Sequence, residues 1–186
     1  GYSSTAKNKA NLADLEAIYL NDLDKAIEIL NRLINIIGVN QYVLNNTKLD
    51  LGDYYLMDGE VWESTLLYSQ VDKDLKEAYL GEQARFKNAR LSYFNGDFEW
   101  AQAQFDILKS STSKLISNDA IDLSVFITDN LGLDSVATPL ELYAKAELLS
   151  FQNKFDESFQ VLDSITLLFP EHGLTDDILY TKAISN

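Results

Sequence analysis

Gly59-Glu60-Val61-Trp62-Glu63-Ser64, lying between Leu51-Gly52 and Tyr68, is one of four copies of a short phrase in this chain of 186 residues. The others are Asn21-Asp22-Leu23-Asp24-Lys25-Ala26, Gly96-Asp97-Phe98-Glu99-Trp100-Ala101 and Asn153-Lys154-Phe155-Asp156-Glu157-Ser158. Each copy opens with Gly or Asn, places an apolar residue two positions on, and places Ala or Ser three positions after that. The copies begin at 21, 59, 96 and 153, so they are spaced by 38, 37 and 57 residues. The last interval exceeds the others by an added helix and its connection. A turn that leads into a helix, repeated at this spacing, points to stacked helical hairpins.

Outward from the turn the columns persist. Nine positions after each opening residue stand Leu30, Tyr68, Phe105 and Leu162, and twelve after stand Leu33, Val71, Leu108 and Ile165. Offsets of 2, 5, 9 and 12 advance by threes and fours, so they form one stripe on a helix. A small residue at offset 5 lets the second helix of a hairpin approach the first, while larger residues fill the flanks. Seven positions before the turn stand Asp14, Gly52, Ala89 and Ala146, and two before stand Tyr19, Met57, Phe94 and Phe151. A preceding helix that crosses its partner at a small column accounts for both.

These residues resemble the tetratricopeptide repeat, a helix–turn–helix unit of about 34 residues. Leu51-Gly52 with Tyr55, then Gly59, Ser64, Tyr68 and Val71, follow the pattern through most of one unit. Gly96, Phe98, Ala101 and Phe105 follow its second half in another, and Pro170 stands where the family commonly ends a second helix. The resemblance covers residues 7–113 and 139–186. It departs at the family's early Trp, which is replaced by Ala10, Lys48, Arg85 and Leu142. The run Pro170-Glu171-His172-Gly173-Leu174, continuing to Tyr180, also resembles the inter-repeat junctions of bacterial envelope members of the family, among them outer-membrane-assembly lipoproteins. The resemblance implies an all-α, right-handed superhelical solenoid.

Read as one domain over 1–186, the chain is expected to form hairpins over 5–37, 41–71 and 74–112, an inserted helix over 118–130, a hairpin over 139–168 and a terminal helix over 174–186. Gly38 is expected as a left-handed cap, Ser117 or Asn118 as the N-cap of the inserted helix, and Pro139 in a first helical turn. The terminal helix has no partner later in the chain: either it caps the stack by covering the apolar face of the preceding hairpin, or it belongs to a longer array, which is the preferred reading. The chain opens on Gly1 and its single Met is Met57, which is read as a trimmed or processed N-terminus.

Composition narrows the function classes. A net charge of −14 and scattered Lys and Arg argue against nucleic acid, which requires a clustered basic face. No run of 18 apolar residues exists, so no membrane-spanning helix is expected. Without cysteine, disulfides and thiolate chemistry drop out, and both cytoplasm and periplasm remain open. The envelope resemblance implies the bacterial periplasm or cell envelope, with the cytoplasm as the alternative. His172 is the sole histidine, so a His-Glu-x-x-His zinc site cannot form. It is expected in a loop, with no nucleophile beside it. No calcium loop is complete, and no phosphate-binding Gly-rich motif is present. Asn45-Asn46-Thr47 matches a glycosylation sequon but falls inside an expected helix. No catalytic residue, cofactor or metal is expected.

What remains is the inner groove that the family resemblance implies, lined by first helices. The register places there Asn8 and Asn11 from the first hairpin and Asn46 and Asp53 from the second. Gln83, Phe86, Arg90 and Tyr93 come from the third, and Tyr143 and Glu147 from the fourth. Aromatic and amide groups together suit an extended or helical peptide. The family's carboxylate-clamp subtype uses Lys, Arg and Asn in these columns; Asp53 and Glu147 interrupt that set and argue against capture of an acidic C-terminal tail. The expected function is a non-catalytic protein-interaction scaffold for a protein or peptide partner. One alternative is a cell-envelope adaptor module of a longer exported protein. Another is a helical-repeat hydrolase or sugar-binding enzyme using Asp53, Arg90 and Glu147.

Overall fold

The computed structural model describes residues 2–19, 22–131 and 137–184, with side chains at 5–13, 22–131 and 137–183. Among these residues lie ten α-helices and no strand. They are α1 (Tyr2–Tyr19), α2 (Leu23–Ile34), α3 (Gln41–Asp58), α4 (Val61–Asp74), α5 (Tyr79–Phe94), α6 (Phe98–Leu108), α7 (Lys114–Leu131), α8 (Thr138–Phe151), α9 (Phe155–Leu168) and α10 (Thr175–Ile184). Neighbours pack in series: α1 on α2, α2 on α3, α3 on α4, α6 on α7, α8 on α9 and α9 on α10. The chain divides into two compact units, Gly1–Asn88 and Ala89–Asn186, with α5 contributing residues to each.

The repeated phrase folds the same way wherever it is described. Gly59, Gly96 and Asn153 all take positive φ, at 97°, 79° and 59°. Each donates its N–H to the carbonyl three residues back: Gly59 to Leu56, Gly96 to Tyr93, Asn153 to Ser150. The next residue then donates to a carbonyl five back: Glu60 to Tyr55, Asp97 to Ser92, Lys154 to Leu149. This is the Schellman closure, which satisfies the last carbonyls of the first helix and turns the chain into the second. Ala26, Ser64, Ala101 and Ser158 each donate to the carbonyl four residues back, making the opening bond of the second helix.

The small column is the crossing point of the hairpin. Ala26, Ser64, Ala101 and Ser158 are all 0% exposed. Ser64 Oγ donates to the Gly52 carbonyl at 2.6 Å, and Ser158 Oγ donates to the Ala146 carbonyl at 2.7 Å. In these two hairpins the small residue of the second helix therefore rests on the small residue twelve positions earlier, close enough for a side chain to reach backbone. Leu30, Tyr68, Phe105 and Leu162, with Leu33, Val71, Leu108 and Ile165, are buried beside it. Each such side chain removed from water is worth about 1.5–3 kcal/mol.

The stripe is narrower than the periodicity predicts. Of the offset-2 residues, Phe98 is buried but Val61 and Phe155 are 38% and 39% exposed. All three open their helices, ahead of the crossing. Phe98 is covered by the Tyr93 ring at 5.7 Å between centroids. Several helix boundaries also differ from expectation: α4 runs to Asp74 rather than 71, α6 ends at Leu108 rather than 112, and α2, α5 and α7 differ for reasons visible in their contacts. α2 ends at Ile34 rather than near 37, where Asn35 bonds back to the Asn31 carbonyl and Ile36 to that of Leu33; Gly38 does take positive φ, at 85°. α5 begins at Tyr79 rather than near 74. Leu75 closes α4, Ala78 bonds back to Leu75, and the Leu75 carbonyl comes so near Gly81 that a Cβ there would lie 2.0 Å from it. α7 begins at Lys114, where Ser113 Oγ accepts from the Ile116 N–H at 3.5 Å. Ser117, expected as its cap, donates to the Lys109 carbonyl instead. Asp14, Tyr19 and Gly132 fall outside the described side chains or residues.

Each unit has its own apolar centre. In the first, Ala13 of α1, Ala26 and Leu30 of α2, Leu51 and Tyr54 of α3 and Leu67 of α4 pack together. In the second, Tyr143 and Ala146 of α8, Leu162 and Ile165 of α9, and Leu174 and Ile178 join, with Phe126 of α7 against Tyr143. α10 is thus packed through Ile178 and tied by Lys182 to Asp163 at 2.5 Å, while Leu179 and Tyr180 stay exposed.

Candidate functional site

The sequence-predicted groove residues fall into two groups, one in each unit. In the first unit, α1 and α3 bound a groove of about 360 Å³ lined by Lys7, Ala10, Asn11, Tyr42, Val43, Asn46, Thr47 and Asp50. Asn11 and Asn46 both line it. Helical spacing does the placing: Lys7 and Asn11 share a face of α1, and Tyr42, Asn46 and Asp50 share a face of α3. Asn46 Nδ2 donates to Asp50 Oδ2 at 3.0 Å, which fixes the amide and aims its oxygen elsewhere. Tyr42, just inside the Asn40 cap of α3, leaves 61% of its surface in water. One edge of the groove is cationic, another anionic, with amides and a phenol between them.

The other predicted residues of this unit serve different contacts. Asn8 is exposed on α1 and does not line the groove. Asp53 is half-buried: it accepts from Tyr68 Oη at 2.5 Å and from Lys87 Nζ at 2.7 Å, with Lys87 also 5.7 Å from the Tyr68 ring centre. That carboxylate braces α3, α4 and α5. Gln83 donates to Tyr79 Oη within α5 at 3.0 Å, and Phe86 is half-buried.

In the second unit, Arg90 and Tyr93 of α5 meet Glu147 of α8. Tyr93 is 1% exposed and donates to Glu147 Oε2 at 2.6 Å. Arg90 lies over two rings, 5.1 Å from the centre of Phe94 and 6.0 Å from that of Phe151. Removal from water pushes the Glu147 carboxyl above its ordinary range and Asp177 adds to the rise, while the Tyr93 hydrogen bond and the Arg90 charge oppose it. Burial likewise raises the Tyr93 hydroxyl, and the Glu147 charge adds to that. Tyr143 is buried, shares a 2.8 Å hydrogen bond with Thr181 and is pushed up to about 12 by burial. Tyr93 and Tyr143 are thus packing residues that direct their hydroxyls inward. The carboxylates of Asp53 and Glu147 are each held by a separate set of partners.

Lys7, Tyr42, Thr47 and Asp50 are not among the groove residues that the sequence register names. Three of them lie four positions from Asn11 or Asn46, so the helical neighbour rule applied to those asparagines reaches them. The sequon is closed off: Asn45 is 0% exposed inside α3. His172 is half-buried in the turn before α10, where its Nδ1 accepts from the Leu174 N–H at 3.3 Å. Among the described residues no three His, Asp or Glu side chains are grouped to hold a metal ion, and no helix is long and apolar enough to cross a membrane. No protein-family model, curated protein or solved structure matches the chain.

Proposed function

We propose that the chain is a helical-repeat scaffold of the tetratricopeptide type, its hairpins stacked in a right-handed superhelix, and that it binds a peptide or protein partner without chemistry. The observation that carries this reading is the groove between α1 and α3. It joins an exposed Tyr42 ring, the Asn11 and Asn46 amides, and the opposed charges of Lys7 and Asp50 along first helices. Asparagine amides supply both donor and acceptor to a peptide main chain. A half-exposed tyrosine adds apolar area at little entropic cost, because it has few rotatable bonds. Rigid helices keep the groove formed before the partner arrives, so ordering of the partner segment is the main cost of binding.

A random-peptide library selected on the full chain, followed by calorimetry, tests the reading. Enriched peptides are expected to bind at about micromolar Kd, near −8 kcal/mol. The Asn11→Ala/Asn46→Ala pair is expected to weaken them by about tenfold or more, with unchanged helical circular dichroism. Failure to enrich any peptide, or binding indifferent to that pair, contradicts it.

A further inference from the structure

The repeat supplies its own control for what the fold requires on the outward side of a second helix. At offsets 4, 7 and 11 after the turn, α2 carries Lys25, Glu28 and Arg32, α4 carries Glu63, Leu66 and Gln70, and α9 carries Glu157, Gln160 and Ser164. Polar residues hold eight of those nine places. α6 carries Trp100, Ala103 and Ile107 there instead. All three are exposed, Trp100 at 58% and Ile107 at 54%. Hairpin packing does not ask for an apolar stripe at these positions, since the buried side of α6 is already supplied by Phe98, Ala101, Phe105 and Leu108.

Alongside this stripe the charge has one dominant sign. Glu99 and Asp106 run beside it on α6, toward α7, since Asp106 reaches Ser124 Oγ at 3.4 Å and Gln102 donates to Thr128 at 2.7 Å. Across that seam α7 exposes Ile121 and Val125 next to Asp122 and Asp129. The cations of this pair of helices lie at the α6–α7 connection: Lys109, the C-cap of α6, pairs with Asp106 at 2.6 Å, and exposed Lys114 opens α7. Apolar rows thus alternate with acidic rows over the paired outer faces of α6 and α7. An exposed apolar patch edged by charge is the usual form of a docking surface, and the sign of the edge selects the partner.

We propose that the outer face of α6 and α7 docks a basic amphipathic helix of a protein partner, with Trp100 and Ile107 as its apolar anchors. The apolar side of such a helix covers the Trp100–Ile107 stripe, and its Lys or Arg residues meet Glu99, Asp122 and Asp129. This surface is independent of the α1–α3 groove, and its test does not depend on the groove's binding anything.

The chain holds two tryptophans, so Trp62→Phe in the full chain leaves Trp100 as the sole indole reporter. The probes are a synthetic helical peptide of Leu and Lys with one apolar face, and the same peptide with Glu in place of Lys. The Leu/Lys peptide is expected to shift Trp100 emission to the blue and saturate, while the Leu/Glu peptide leaves it unmoved. Ile107→Ser is expected to weaken the Leu/Lys peptide by about tenfold or more with unchanged circular dichroism. Ala103→Asn, a neutral polar change at a second exposed position on the stripe, gives the same readout should Ile107→Ser unfold. Three results overturn the proposal: equal binding of both peptides; affinity unchanged by either substitution, which leaves only attraction to an acidic protein; or a blue shift without peptide that tracks self-association in sedimentation, which makes a second copy the occupant.

Discussion

Gly52 of α3 packs directly against the Tyr68 ring of α4. A Cβ at Gly52 would stand 2.4 Å from Tyr68 Cε1 and 2.9 Å from Cδ1. The ring cannot withdraw cheaply, because its hydroxyl is bonded to Asp53 and the residue is 1% exposed. Gly52→Ala is therefore expected to destabilise by about 1–3 kcal/mol through overpacking. Tyr68→Leu in the same chain should recover part of that loss, and equilibrium denaturation of the single and double variants checks both. The serines at the crossing call for a gentler outcome. Ser64→Ala or Ser158→Ala removes a hydrogen bond to a carbonyl but keeps the shape, and Ala26 and Ala101 hold the equivalent places without a hydroxyl. A cost of about 0.5–1.5 kcal/mol is expected from each. A larger drop in the denaturation midpoint would mean that the hydroxyl, not the small volume, sets the crossing. The sequence displayed the small residues but could not show which carbonyl each hydroxyl would reach, since that depends on how closely two helices approach.

At the scale of elements, α5, α8 and α10 meet around Glu147. Its carboxyl is held above the ordinary value of 4.5 by removal from water, with Asp177 adding to the rise and Tyr93 and Arg90 opposing it. The folded state therefore binds this proton more tightly than the unfolded chain does. The group's favourable contribution is complete below the unfolded value and is lost as pH rises through the folded one. Glu147→Gln keeps an acceptor for the Tyr93 hydroxyl and removes the titration. The variant is expected to exceed the parent in stability at neutral pH, with the difference shrinking as the medium is acidified toward pH 4.5. Thermal unfolding of both chains across that range checks it, and a constant difference contradicts it. Tyr93 and Glu147 lie 54 positions apart, so no helical spacing joins them and their pairing was not legible beforehand. The hairpin helices were legible because their signals are local: a turn residue, a small residue and a three–four stripe. Among the boundaries that differed, those of α2, α5 and α7 are set by side-chain caps and by one close backbone approach, and several serines and asparagines compete for each of those roles.

At the scale of the molecule, the charge of −14 acts against compactness. Raising ionic strength from about 0.01 M to about 0.15 M shortens the screening length from about 30 Å to about 8 Å, which should relieve self-repulsion and raise the melting temperature. A fall in melting temperature over that range would mean that ion pairs such as Arg85–Asp72 and Lys87–Asp53 outweigh the repulsion. The candidate groove was half legible. Asn11 and Asn46 were named from the register of first helices, whereas Lys7, Tyr42 and Asp50 depend on which faces of α1 and α3 turn toward each other. The feature that organises the chain is the recurring small crossing, and it can be tested at all four sites. Ala26→Leu, Ser64→Leu, Ala101→Leu and Ser158→Leu, set against Ala103→Leu on the exposed side of α6, measure it by equilibrium unfolding. Each of the four is expected to lose about 1–3 kcal/mol, with Ala103→Leu close to the parent. If any of the four tolerates leucine as readily as Ala103 does, the hairpins are not held at that crossing and the account fails.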